Sequence, residues 1–231
     1  MLACVPWLSA FAVSGHSPLE AMRSPGILAI VATDALVFEA IMVTIAAPIA
    51  GASIASSSDR SGGTTLSGLL LALLAFISTS LIIGLGAAQA GALDVIVLVQ
   101  SRVALAATTL AMASLGALCA AIFVDVLDAA GAALLTALVA ATGLIGSGPA
   151  GADLTERAIN AGLLASPVIA ATSAARIDLL RSAALYQLSP IAHRRFEYPD
   201  WGAVSASYLL VAGTCLIAMA WKRRGYRPLI A

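Results

Sequence analysis

Between Ile27 and Ala55 the chain reads ILAIVATDALVFEAIMVTIAAPIAGASIA, an apolar run interrupted by only two charges, Asp34 and Glu39. A run of that length decides the solvent before it decides the fold, because about 20 residues of helix cross a ~30 Å hydrocarbon core. Four further runs meet the same length: TLSGLLLALLAFISTSLIIGLGAA (65–88), RVALAATTLAMASLGALCAAIFV (102–124), AAGAALLTALVAATGLIGSG (129–148) and GAVSASYLLVAGTCLIAMAW (202–221). Composition agrees: 61% hydrophobic residues against 10% charged, with a mean hydropathy of +1.00, is too much apolar side chain for one soluble core and too little charge for a soluble surface. Polar residues do not recur at every second position, so the spans are expected to be helices and not barrel strands. The expected fold is an all-α integral membrane protein, a polytopic bundle of five to six transmembrane helices forming one domain over 1–231. An extracellular amphipathic or re-entrant segment is expected over 149–201.

The opening MLACVPWLSAFAVSG is apolar but short, and Pro6 interrupts it, so it reads as an interfacial segment or the tail of a truncated first span. Orientation comes from the far end, where Lys222, Arg223, Arg224 and Arg227 follow the last span and place that tail in the cytoplasm of a multi-pass protein of the cell membrane. Counting back puts GALDVIVLVQS (91–101) outside with Arg102 beside it, DVLD (125–128) inside, and SSSDRSGG (56–63) inside. Trp201 and Trp221 bracket the last span about 30 Å apart at 1.5 Å per residue, the separation of two aromatic belts.

Two acids lie within the first span. Five residues on a helix set Asp34 and Glu39 roughly 140° apart, so they do not form a dyad on one face. Asp34 is expected at the rim, and Glu39, nearer the midplane, to line a translocation path or a dimer interface or to be held by hydrogen bonds. Cys4, Cys119 and Cys215 are far apart in apolar surroundings and read as small buried hydrophobes, so no metal site or disulfide is expected.

The polar island SSSDRSGG remains to be explained. A turn between antiparallel spans needs only the serines and glycines; Asp59 and Arg60 exceed that need, and on spacing alone they read as opposite charges that keep a solvated turn in water. In the order P48-I-A-G-A-S-I54-A, then D59-R60-x-G-G-T64-T-L66-x-x-L-L, the chain resembles the permease subunits of ATP-binding-cassette exporters of the second type. That family usually has Glu where this chain has Asp59. The resemblance implies a short coupling helix in this inner loop, docked on a separate ATPase, with Asp59, Arg60, Gly63 and Thr64 at the contact. It also implies a permease homodimer or heterodimer set among membrane lipids, and a long final outer loop.

The outer segment SPVIAATSAARIDLLRSAALYQLSPIAHRRFEYPDW (166–201) has that position and length. Pro167 suits the first turn of a helix, and Ile177, Leu180 and Leu188 among Arg176, Asp178 and Arg181 predict an amphipathic surface helix up to Ser189-Pro190. His193 with its neighbouring arginines reads as an interfacial basic cluster facing lipid phosphates or pairing with Glu197 and Asp200.

No G-x-x-x-x-G-K-[ST] phosphate loop is present. The chain is therefore expected to be no enzyme, to have no catalytic residue, and to bind no cofactor itself, with ATP held by the partner subunit. A net charge of zero gives no sign of a nucleic-acid partner. Two other readings are a proton-coupled secondary carrier using Glu39 and a non-transporting subunit of a membrane complex. A membrane-embedded enzyme lacks any H-E-x-x-H or G-x-S-x-G.

Overall fold

In a computed structural model the structure describes residues 5–57, 62–89, 94–142, 155–180 and 197–225. Those residues are helical, with no strand among them: α1 Val5–Ser14, α2 Pro18–Arg23, α3 Pro25–Ser57, α4 Gly62–Gln89, α5 Val95–Ile122, α6 Val126–Thr142, α7 Glu156–Ala165, α8 Pro167–Ala174 and α9 Trp201–Gly225. Among the described residues, three stretches, Pro25–Ser57, Val95–Ile122 and Trp201–Lys222, are long and apolar enough to cross a membrane. The expected span at 65–88 falls on α4, a helix of 28 residues. The expected span at 129–148 falls in part on α6, an apolar helix over 17 described residues; residues 143–148 lie outside the described residues.

Helices α3 and α5 form the spine. Their contacts run in register from Glu39 beside Arg102 to Gly51 beside Ala113, so the two are parallel. Small residues permit the approach: a Cβ on Gly51 would stand 1.9 Å from the Ala113 carbonyl oxygen, and one on Gly116 would stand 1.9 Å from the Pro48 carbonyl oxygen. No side chain fits between backbones that close, and this is how helices pack tightly where lipid removes the hydrophobic drive for association. Pro48 has no N–H to offer the Thr44 carbonyl one turn earlier. Around the spine, Ala104, Ala107, Ala111, Ala137, Ala170, Val204, Tyr208 and Ala212 extend one continuous core into α6, α8 and α9.

The N-terminal helix α1 lies against the start of α3. Trp7 and Ala10 are buried on Val31, Ala32 and Ala35. The intervening α2 is held by a capping box, in which the Glu20 amide donates to Ser17 Oγ (3.2 Å) and the Ser17 amide donates to the Glu20 carboxylate (2.8 Å).

Two boundaries differ from expectation, each for a physical reason. The helix expected to begin at Arg102 begins at Val95, because Asp94 caps it by accepting the Ile96 amide at 2.8 Å and the apolar run VIVLV continues the span. Residues 95–101 are therefore helix and not an outer loop. The surface helix expected from Pro167 to about 188 stops at Ala174. Its end is a Schellman motif: the Ile177 amide donates to the Thr172 carbonyl (3.1 Å) and the Arg176 amide to the Ser173 carbonyl (2.8 Å), with Arg176 in the left-handed region at φ 58°.

The amphipathic element is instead α7, whose Ile159 and Leu163 face Ile169 and a fully buried Leu180. The corner between α7 and α8 is pinned twice, by Ser166 Oγ donating to the Ala141 carbonyl (3.1 Å) and by Tyr208 Oη donating to the Ala165 carbonyl (3.2 Å).

Candidate functional site

The strongest chemistry inside the bundle is one pair. Glu39 on α3 is 1% exposed and Arg102 on α5 is 5% exposed, and Arg102 Nη1 donates to Glu39 Oε2. The helices place them by simple geometry. Glu39 lies 14 positions into α3 and Arg102 seven into α5, about 21 Å and 10 Å along their axes at 1.5 Å per residue. The parallel contact then brings the two side chains to one level.

Removing two charges from water is costly, and only a close, hydrogen-bonded partner of opposite sign offsets it. In a membrane-embedded bundle both charges must be turned inward for the same reason. Helix α4 completes the enclosure at Gly84. A Cβ there would come to 2.7 Å of Leu98 Cδ1 and 3.3 Å of Arg102 Nη2, so the glycine lets the α4 backbone close over the guanidinium. Ser101, also buried, returns its hydroxyl to the Leu98 carbonyl at 2.8 Å. The pair can tie α3 to α5, and protonation of the carboxylate or movement of α5 would release a guanidinium into the bundle.

The other expected site residues divide. Asp34 is half-buried on α3, about 7.5 Å below Glu39 along the axis and on another face; the structure does not bring the two acids together. Gly63 and Thr64 lie in the first turn of α4. Asp59 and Arg60 lie outside the described residues, as do Cys4, His193 and Leu188. Cys119 and Cys215 are buried and unbridged, as their surroundings predict. Among the described residues, no three His, Cys, Asp or Glu side chains gather as a metal site.

Arg102 is the member that sequence reasoning missed. The available signal was an arginine followed and preceded by apolar residues, VIVLVQSRVALAA, which suits a charge inside a span as well as one at its edge.

No family profile, curated protein or solved structure matches the chain.

Proposed function

We propose that the chain is the transmembrane permease subunit of an ATP-driven exporter, working as a dimer with a separate ATPase. The observation that supports it most is the α3–α4 hairpin. A proline-bearing helix of 33 residues ends at Ser57 and the next begins at Gly62, so the residues in the exporter-like order run from the end of one long helix into the start of the next. At 1.5 Å per residue α3 extends for about 50 Å, against ~30 Å of hydrocarbon. Its end therefore reaches beyond the apolar layer, where a soluble subunit can touch it. Near the hairpin α4 leans on α3: a Cβ on Gly68 would meet Ile54 Cγ2 at 3.0 Å, so a push on the connection passes directly to both helices.

In this reading α3, α4, α5, α6 and α9 are the five spans, the C-terminus is cytoplasmic, and α7 with α8 lies on the outer side. ATP binding closes the partner subunits, the 54–65 region transmits the movement, and the spans exchange access from one side to the other. The chain itself hydrolyses nothing.

The test replaces Asp59 and Arg60 together by Ser, followed by co-purification with an ATPase encoded beside the chain and by ATPase activity of the reconstituted pair. The expected outcome is a protein that inserts normally but loses the partner and the stimulated activity. Unchanged co-purification and activity would return the island to a solvated turn, where exposed charges contribute little.

The Glu39–Arg102 pair favours a second reading, a proton-coupled carrier in which protonation of Glu39 frees Arg102. Transport by proteoliposomes that hold only this chain and a pH gradient, lost in Glu39→Gln, would select it over the exporter.

A further inference from the structure

A cleft of about 510 Å³ opens where the C-terminal end of α8 meets the first turns of α5 and α9. Gln100, Arg176, Asp178, Tyr198, Asp200 and Trp201 line it. The volume falls within the roughly 300–1,000 Å³ of small-molecule sites. We propose that this cleft binds a phosphate–ammonium zwitterion, the chemistry of an ethanolamine-type phospholipid headgroup. The proposal does not depend on what drives the chain, and it stands whether or not an ATPase is the partner.

Three observations carry it. The first is charge: among the described residues the cleft is lined by one guanidinium and two carboxylates, so it offers a partner to each end of a zwitterion. The planar fork of Arg176 matches two phosphate oxygens. The carboxylates of Asp178 and Asp200, beside the rings of Tyr198 and Trp201, suit an ammonium group, which is attracted both by anions and by aromatic faces.

The second is fixed geometry. Tyr198 Oη donates to Asp178 Oδ1 at 2.6 Å and accepts the Leu180 amide at 3.2 Å, and the Gly202 amide donates to Asp200 Oδ2 at 2.9 Å. Ser173 Oγ donates to the Pro199 carbonyl at 3.2 Å, which ties the two walls together. Three of these four bonds reach backbone, so Tyr198, Asp200 and Ser173 are fixed to the chain around the cleft.

The third is the backbone at Arg176. Position C′ of a Schellman motif favours glycine, yet this chain has arginine there at φ 58°, and the side chain it gains lines the cleft. A left-handed residue other than glycine is an observed outlier from which a functional role is a fair inference. The location agrees with a lipid. Trp201 opens an apolar helix long enough to cross a membrane, and Gln100 is only six positions past the Asp94 cap of α5, so the cleft lies at a membrane boundary where headgroups are dense.

Arg176→Gly is the informative variant, because it removes the guanidinium while relieving the backbone, so loss of folding does not obscure the result. The full-length chain, purified in a maltoside detergent, is titrated with short-chain phosphatidylethanolamine, short-chain phosphatidylglycerol and free O-phosphoethanolamine, and binding is read by calorimetry and by thermal midpoint. The zwitterionic lipid is expected to bind and raise the midpoint, phosphatidylglycerol to bind at least about tenfold more weakly, and Arg176→Gly and Asp200→Asn each to weaken the zwitterion about tenfold, the loss of one charge-assisted bond. Arg176→Gly without ligand is expected to be at least as stable as the parent. Binding of free O-phosphoethanolamine as tightly as the lipid supports the same chemistry with a soluble source. Equal binding of both lipids, binding unchanged in Arg176→Gly, or no binding by any of the three overturns the proposal.

Discussion

Replacing Arg102 by Met leaves the Glu39 carboxylate in a site where it is 1% exposed, with the cation that held it gone. The remaining charge must stay buried without that cation, take up a proton, or drag α3 toward water. Each alternative is unfavourable, and breaking one side of a buried pair costs about 3–5 kcal/mol. Glu39→Met strands the guanidinium in the same way, with the same range expected. The double substitution Glu39→Met with Arg102→Met removes both charges together and leaves side chains of fitting length in an apolar setting. It is expected to lie within roughly 1–2 kcal/mol of the parent, since a buried pair and its hydrophobic replacement are often close in stability.

The coupling energy is then about 4 kcal/mol or more, above the 0.5–3 kcal/mol usual for neighbouring residues. Reversible unfolding in mixed detergent reads it, with the fluorescence of Trp7, buried against Ala32 and Ala35 of α3, as a reporter near the pair. Single variants that each lose under about 1 kcal/mol, with an additive double, would refute the pair as a structural tie.

Two further outcomes are expected. Gly116→Ala and Gly51→Ala each set a Cβ 1.9 Å from a carbonyl oxygen of the facing helix, so α3 and α5 must separate, and a loss of about 1–3 kcal/mol or more is expected in the same unfolding assay; Gly131→Ala, with nothing within 4 Å, is the neutral control. Glu20, outside the spans, is held below its ordinary value of 4.5 chiefly by the Ser17 amide, then by the Ser17 hydroxyl and by His16. Its carboxylate thus stabilises α2 above the ordinary value, and the contribution fades as pH falls through the lowered value; the Ser17 amide shift followed by NMR should titrate with a midpoint below 4.5, and a midpoint above 4.5 would contradict the capping box.

Run length and composition made the helices legible, because neither depends on which residue faces which. Pro25–Ser57 lies within two residues of the stretch 27–55 expected from its apolar run. Boundaries failed where a one-dimensional reading needed a partner far along the chain. Arg102 looked like the edge of a span because an unpaired arginine in lipid is prohibitive; its partner is 63 positions away, and only the fold supplies it. Helix α8 gave no warning of its end, since the residue at the left-handed position is Arg176 where a glycine would have marked the stop. Leu180 was legible as buried, but not what buries it: it packs against Ile159, Leu163 and Ile169 of the protein instead of lipid. Glu39 stood out in the sequence because acids inside spans are rare, whereas the half of the site that determines its behaviour did not.

The two contacts between α3 and α5 differ in kind, and that difference bears on how a movement could pass through the bundle. At one level Glu39 and Arg102 form a polar tie that a proton or a displaced guanidinium can undo. Twelve residues further along α3, about 18 Å at 1.5 Å per residue, Gly51 against Ala113 and Gly116 against Pro48 form a steric contact of backbone on backbone that no titration alters. Two fastenings that far apart resist both sliding and splaying, so a push delivered at Ser57 moves α3 and α5 together while both hold. Loss of the polar tie alone leaves the glycine crossing as a pivot, about which the ends of the helices nearer Pro25 and Val95 can part. The α5 end carries Gln100, which lines the cleft, and in the transport reading proposed above a parting there is the alternating-access motion of this spine. A cross-link between cysteines placed at Ala40 on α3 and Ala104 on α5, both buried in the same core, would block that parting without touching the glycine crossing. If the chain transports as proposed, transport lost on oxidation and regained on reduction is the expected result; transport indifferent to the bond would mean that α3 and α5 remain a rigid unit.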